Sequence, residues 1–186
     1  MRRTYVISDF HFNHTGILRI ERGEFKTIEE HNQYIVDKYN SVVGEHDVCY
    51  ILGDIGFDNP KLIKKWVQKL HGYKILIKGN HDRFSTAQAI EMGFKEVYDH
   101  PVYFNSKIIL SHEPVREALD NPYVINVHGH VHQNDVMLPN FYNVNVASVD
   151  YLPVNMDVYL RKSFNCKDRR ETWGKEWYYN FYKTKY

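Results

Sequence analysis

The sequence predicts an α/β fold in which two packed β-sheets carry helices on their outer faces. Three observations point there. Apolar strand-like runs alternate with amphipathic helical segments through the first half of the chain. The second half changes rhythm to short strands joined by turns, with no long helix between them. One early run, Val48-Cys49-Tyr50-Ile51-Leu52, is apolar throughout, the pattern of a strand covered on both faces. A chain of 186 residues suits one domain with one substantial core.

Tyr5 to Ser8 reads as a short strand that ends in Asp9-Phe10-His11. The segment from Thr27 to Val43 is predicted helical. Thr27-Ile28-Glu29-Glu30 fits a capping box, in which Thr27 and Glu30 would satisfy each other's free backbone donors. Ile28, Ile35, Tyr39 and Val42 recur at roughly helical spacing, and Gly44 is a suitable stop. The Val48–Leu52 run ends in Gly53-Asp54. Pro60 suits the first turn of a second helix reaching about Leu70, with Asp58 or Asn59 as its cap. Lys74 to Ile77 is a third strand, ending in Gly79-Asn80-His81-Asp82. Ser85 caps a shorter helix that Gly93 closes. Val102 to Phe104, Ile108 to Leu110, Tyr123 to Val127 and Tyr142 to Val146 read as the later strands, with a turn at Asn105-Ser106.

Composition narrows the function class. Hydrophobic residues at 43% and charged residues at 25% are ordinary for a globular chain. A formal net charge of +1 predicts neither a nucleic-acid binder nor a membrane-surface protein. No run approaches the ~20 apolar residues of a membrane-spanning helix. Arg2 and Arg3 are followed by no apolar stretch of signal-peptide length. Cys49 and Cys166 make neither a disulfide framework nor a thiolate zinc site. The expectation is a cytoplasmic protein with no membrane partner.

The 11 histidines are unevenly placed, and that placement organises the site. Metal-competent polar residues sit just after apolar strands: Asp9 and His11, Asp54, Asn80 and His81, His112, and then His128, His130 and His132. Ligands in α/β sheets gather at the carboxyl ends of strands, so five such ends would converge on one site. Imidazole and carboxylate together suit zinc, manganese, iron or nickel. Two such ions about 3.5–4 Å apart clamp an in-line displacement at phosphorus, and a pair of this kind needs a bridging carboxylate, for which Asp54 is the natural candidate. Gly53, Gly79 and Gly129 would allow tight turns and close backbone approach beside these ligands.

Asp9-x-His11, Gly53-Asp54, Gly79-Asn80-His81-Asp82, a lone His112 and Gly129-His130-x-His132 resemble, in order, the five motifs of the calcineurin-like metallophosphoesterase superfamily. The resemblance spans roughly Tyr5 to Leu160. Each motif alone is weak; all five in order are specific. The opening Asp9-Phe10-His11-Phe12-Asn13-His14, followed by Arg22, Phe25 and Glu29-Glu30, is similar to the small bacterial and phage members that lack a cap domain.

The resemblance implies a four-layer αββα sandwich of two mixed β-sheets flanked by helices, over residues 1–160. It implies two divalent metal ions, with Mn2+ favoured over Zn2+, Fe2+ or Ni2+. Asp9, His11 and His132 would hold the first, and Asn80, His112 and His130 the second. Asp54 would bridge them together with a hydroxide that attacks phosphorus. His81 would face the leaving-group oxygen, with Asp82 orienting its ring. The run Asp54-Ile55-Gly56-Phe57-Asp58 lacks the Arg that often follows the second motif, which argues against a protein-phosphatase role.

His14 could reach substrate from the first loop, and His128 either supports His130 or is simply a strand-end residue. Arg22 and Arg116 could contact a phosphate, against the plainer reading of a solvated or paired arginine. Residues 161–186 form a basic, aromatic extension. Trp173, Trp177 and Phe181 lie four apart, which suits packing on the domain or a partner subunit more than stacking on nucleic-acid bases.

The expected activity is phosphodiester hydrolysis on a small nucleotide-derived substrate, by a monomer or homodimer. A phosphomonoesterase or a nuclease on the same site is the near alternative. A non-catalytic protein-binding scaffold with this fold is the alternative of another class, and the complete ligand set argues against it.

Overall fold

The computed structural model describes residues 2–132, 134 and 138–164. The strands are β1 (Thr4–Ile7), β2 (Val48–Ile51), β3 (Tyr73–Ile77), β4 (Glu96–Tyr98), β5 (Val102–Asn105), β6 (Ile108–Leu110), β7 (Ile125–His128), β8 (Phe141–Asn143) and β9 (Val154–Asn155). The helices are α1 (Ile17–Ile20), α2 (Ile28–Asn40), α3 (Pro60–Val67), α4 (Thr86–Met92), α5 (Arg116–Asp120) and α6 (Asp157–Phe164), with a 3-10 turn at Val146–Val149.

One sheet has the order β4-β3-β2-β1-β9 and the other β5-β6-β7-β8. β1 to β4 are parallel and β9 joins antiparallel at the edge; in the second sheet β5 is antiparallel and the rest parallel. Both sheets are therefore mixed. The two-residue alternation of strand side chains separates the layers. Tyr5, Ile7, Cys49 and Ile51 join Ile35, Tyr39, Ile63 and Met92 in a core beneath α2, α3 and α4. Val6, Leu52 and Ile77 point the other way, into a core shared with Ile108, Leu110, Ile125 and Val127 of the second sheet. Ile109, between two inward residues, packs outward with Ala118 and Leu119 of α5. Helices, sheet, sheet and helix follow in that order, and the four-layer αββα sandwich is the observed architecture.

The helix boundaries follow local chemistry. Thr27 accepts a hydrogen bond from the Glu30 amide and starts α2. The expected reciprocal half of that box does not form, because Glu30 Oε2 accepts from the Lys26 amide instead. The complete box lies at α4, where Ser85 and Gln88 satisfy each other and Gly93 closes the helix in the left-handed region. Pro60 stands at the first turn of α3 under the Asn59 cap. The sequence reading did not single out α1, β4, α5, the 3-10 turn, β9 or α6. They are short, and their hydrophobic periods are too brief to distinguish from turns. α6 runs without interruption across residues 160 and 161. Trp173, Trp177, Phe181 and the rest of the basic-aromatic segment beyond residue 164 lie outside the described residues.

The registers aim the site. Ile7 of β1 pairs with Ile51 of β2, which pairs with Leu76 of β3. Three loops leave one edge of the first sheet side by side, carrying Asp9, Asp54 and Asn80. Leu110 of β6 pairs with Val127 of β7, which sends His112 and His130 out beside each other. Two further bonds join the sheets at this edge: the Ser8 amide donates to Val144, and the Val146 amide donates to Ser8.

Candidate metal centre

Five residues expected as ligands, Asp9, His11, Asp54, His130 and His132, have positive φ, between 51° and 67°. Side-chain-bearing residues rarely hold this left-handed conformation, and the structure around them must stabilise it. Here backbone ladders do so. The His11 amide donates to Asp54 O, the Asp9 amide to Gly53 O, and the Gly129 amide to His112 O. The loops turn sharply as each strand ends, so the side chains converge instead of continuing along the sheet.

They converge as two groups. Asp9, His11 and His132 each offer one ligand atom, all within 4.8 Å of one another, and Asp54, His112 and His130 do the same. Asp54 links the groups. Its Oδ2 is 3.8 Å from His11 Nε2 and 3.5 Å from His112 Nε2. Asn80 belongs to the second group, with its Oδ1 3.0 Å from both His112 Nε2 and His130 Nδ1. All seven residues expected to hold metal are thus assembled at one place.

Two glycines are required by this closeness. A Cβ on Gly79 would stand 2.2 Å from Asp54 Oδ1, and one on Gly129 would stand 2.2 Å from Asp9 Oδ2. Any other residue would drive a carboxylate out of position.

The donor set fits divalent cations. Both ring nitrogens of His11 are buried without a hydrogen-bond partner, a costly arrangement for an imidazole unless a ligand engages it. Burial holds the His11 pKa well below its usual value, with the nearby Arg22 charge adding to the effect. The ring is therefore neutral, the form that binds metal. Asp9 is raised by burial. His112 moves oppositely to His11: burial opposes its charged form, but the Asp9 and Asp54 carboxylates outweigh that and raise it. The two carboxylates and four imidazoles of these groups are donors that divalent cations accept.

The groups behind the candidate ligands overturn the role expected of Asp82 and place Arg22 in support of the site instead of at a substrate phosphate. Arg22 does not face the substrate space. It is fully buried, donating to Asp9 O at 2.7 Å and Phe10 O at 3.0 Å, with its Nη1 2.7 Å from His31 Nε2. The guanidinium braces the turn that carries Asp9 and His11 from behind, because two carbonyls of that turn point inward at it. Asp82 does not orient His81. Its carboxylate accepts from the backbone amides of Asp54, Ile55 and Gly79, at 2.8–2.9 Å. It pins the Asp54 loop to the Asn80 loop, while burial pushes its pKa up to about 6.

His81 lies at the rim, its ring centroid 6.0 Å from that of His11, and its Nδ1 has no hydrogen-bond partner. His14 does reach the site, 5.4 Å from His11 and stacked on Phe57 at 4.7 Å. His128 is a strand-end residue, fully buried, with Nδ1 3.0 Å from Gly129 O, and burial lowers its pKa to about 4. Arg116 pairs with Asp120 on the surface of α5. One functional side chain was not legible in the sequence. Glu21 Oε2 lies 2.5 Å from His132 Nδ1, a contact that would fix the ring and leave its other nitrogen for a ligand. Glu21 stands 111 positions from His132, and no local pattern marks it.

Comparison with known proteins agrees with this geometry. The family profile described as calcineurin-like phosphoesterase matches residues 2–177. The chain belongs to that family. An uncharacterized protein of Methanocaldococcus jannaschii is 31% identical over 176 residues, spanning 87% of this chain and 91% of that protein. The gene 66 protein of Mycobacterium phage L5 is 36% identical over 85 residues, covering 44% of this chain and 41% of its own length. A protein of unknown function from Aquifex aeolicus has a similar solved structure, with a TM-score of 0.69, 28% identity, and coverage of 87% of this chain and 99% of that one. As a calcineurin-like phosphoesterase, the chain carries two metal-binding groups consistent with a dinuclear centre. Among the described residues, no helix is long and apolar enough to cross a membrane.

Proposed function

We propose that this protein is a metal-dependent phosphodiesterase acting on a small nucleotide-like ester. The observation that carries the reading is Asp54, whose single Oδ2 stands between His11 of one ligand group and His112 of the other. A carboxylate so placed suits two metals sharing one bridge. Two divalent ions held there would polarise the phosphoryl oxygens and supply a water of lowered pKa. Asp9, His11 and His132 would hold one ion, Asn80, His112 and His130 the other, with Asp54 between them. The donors are oxygens and imidazoles without a thiolate, which supports manganese and admits zinc, iron or nickel.

The protein's own groups complete the site. His81 stands beside His11 at the rim, where its ring could donate a proton to, or hydrogen-bond, the departing ester oxygen. Asp82 keeps the Asp54 and Asn80 loops at a fixed separation, which preserves the bridge. The same reading assigns the enzyme to the cytoplasm, as a monomer or homodimer. The free, buried Cys49 suits a reducing compartment.

The test is direct. Purified protein reconstituted with manganese should bind two metals per chain and hydrolyse bis-p-nitrophenyl phosphate faster than p-nitrophenyl phosphate. Fewer than one metal bound would sink the reading, and the reverse substrate order would make the enzyme a monoesterase.

A further inference from the structure

Among the described residues, two cavities adjoin the metal centre. One, of about 510 Å3, reaches Asn80 and His112 and mixes the charged Lys78, Asp99 and Glu113 with the apolar Ile77, Pro101 and Val115. The other, of about 350 Å3, opens beside His81 between Phe57, Pro60, Ile63 and Phe84, with Asp58 and Arg83 at its margin. The second lies within the size range of small-molecule sites and has their usual makeup, apolar walls with a few polar groups.

Phe57 is the informative residue. A single exposed phenylalanine on a protein surface needs no explanation, but this one is held in place at the active-site rim. The amide of Phe57 donates to Phe12 O at 2.9 Å, and Gly56 bridges to Phe12 in parallel. Gly56 is tightly fitted as well, since a Cβ there would meet Phe12 O at 2.8 Å. The ring stacks on His14 at 4.7 Å and 22°, and its centroid lies 5.3 Å from His81 at 62°. Even so it remains 48% exposed. His14 stacks on the ring, and the exposed part of Phe57 lines this cavity together with His81. Phe84, only 6% exposed, is a buried part of the same wall.

We propose that this cavity is a subsite for a planar aromatic ring of the substrate, a nucleobase in a nucleotide-derived ester. The base stacks on the exposed part of Phe57 with its polar edge toward Asp58 and Arg83. The subsite rests on the phosphoesterase reading, because the metal centre is what would hold the attached phosphate. It suits a cavity with Phe57 and Phe84 in its wall, since an ester of phosphate with a nucleoside has one flat aromatic arm.

The test compares ligands that share a phosphate and a sugar but differ in the base. Calorimetric titration of the full-length, manganese-loaded protein should give an affinity for AMP at least ~10-fold above that for ribose 5-phosphate, the scale of one base stacked on an aromatic ring. Phe57→Ala should bring AMP down to the ribose 5-phosphate level and leave ribose 5-phosphate unchanged. Phe57→Trp should restore the preference. Phe57→Leu, which keeps apolar contact but removes the π face, should behave like the alanine variant and guards against a folding artefact. Absence of an AMP preference in the wild type, or its survival in Phe57→Ala and Phe57→Leu, overturns the subsite. Turnover of bis-p-nitrophenyl phosphate by the wild type separates the two ideas. Turnover without the AMP preference removes the subsite alone, whereas no turnover removes the phosphoesterase reading while the titrations still report on the cavity.

Discussion

The Asp9–His11–His132 group and the Asp54–His112–His130 group use the same chemistry, one carboxylate and two imidazoles, but are held in different ways. In the first, the ligands are braced from behind. Arg22 holds the carbonyls of Asp9 and Phe10, Glu21 holds His132, and the His11 ring has no hydrogen-bond partner. In the second, the ligands hold one another. Asn80 Oδ1 lies 3.0 Å from both His112 and His130, and His112 Nδ1 is also 2.8 Å from Leu52 O. The second group is therefore organised before any ion arrives. The first leaves a buried imidazole that an ion would satisfy, so ion binding relieves more cost there. The first half leans on buried side chains behind it, whereas the second adds contacts among its own ligands to the support of Leu52 O and Asp82.

That contrast can be broken or sharpened by substitution. Asp54→Ala removes the one carboxylate common to both halves, so both ions should be lost and hydrolysis should fall to background. Retention of one ion at full affinity, read by metal analysis, would mean that Asp54 serves only one half. His81→Ala touches neither half. Turnover should fall about 10²–10⁴-fold, the range of general acid–base catalysis, with metal content unchanged. Loss of metal in that variant would make His81 part of the centre instead.

Arg22→Met leaves two inward carbonyls without a donor. Thermal denaturation should show a loss of about 2–4 kcal/mol, and sequential metal titration should show the first half weakened more than the second. Equal weakening of both would erase the distinction drawn here. Glu21→Ala should lower affinity at the first half about 10–100-fold and leave the second intact.

The smallest effect concerns acid. Burial lowers the pKa of His31, behind Arg22, to about 3, and that of His128 to about 4. A histidine depressed in the folded state binds more protons when unfolded, so stability rises with pH across the interval between the two values. The contribution is complete above the unfolded value near ~6.5 and is lost as pH falls through about 4 and about 3. In metal-free protein, moving from about pH 7 to about pH 5.5 should cost roughly 1 kcal/mol per histidine. Melting of His31→Gln and His128→Gln beside the wild type would isolate each share.

The sequence made the ligand set legible for a local reason. Asp9, Asp54, Asn80, His112 and His130 each follow an apolar run within a few residues, and strand ends in an α/β sheet share one edge. The long, periodic elements were legible as well, since α2, α3 and β2 carry enough residues to show a period. The edge strands β4 and β9 do not, and their pairing is fixed by neighbours already in the sheet. Asp82 illustrates a different limit. Its position after Asn80-His81 suggested a partner in His81, but the tight turn brings the Asp54, Ile55 and Gly79 amides to the carboxylate, and three donors outcompete one ring.

By itself, then, the sequence determined the α/β class, the order of the motifs and the seven candidate ligands, because strand length, turn residues and the spacing of metal-competent groups are local properties. Only the tertiary structure decided what stands behind and beside those residues: Arg22 turned inward, Glu21 against His132 across 111 positions, and Phe57 half-exposed at the rim. These depend on which loops the packing of two sheets brings together, and side-chain contacts between distant segments leave no period in the chain.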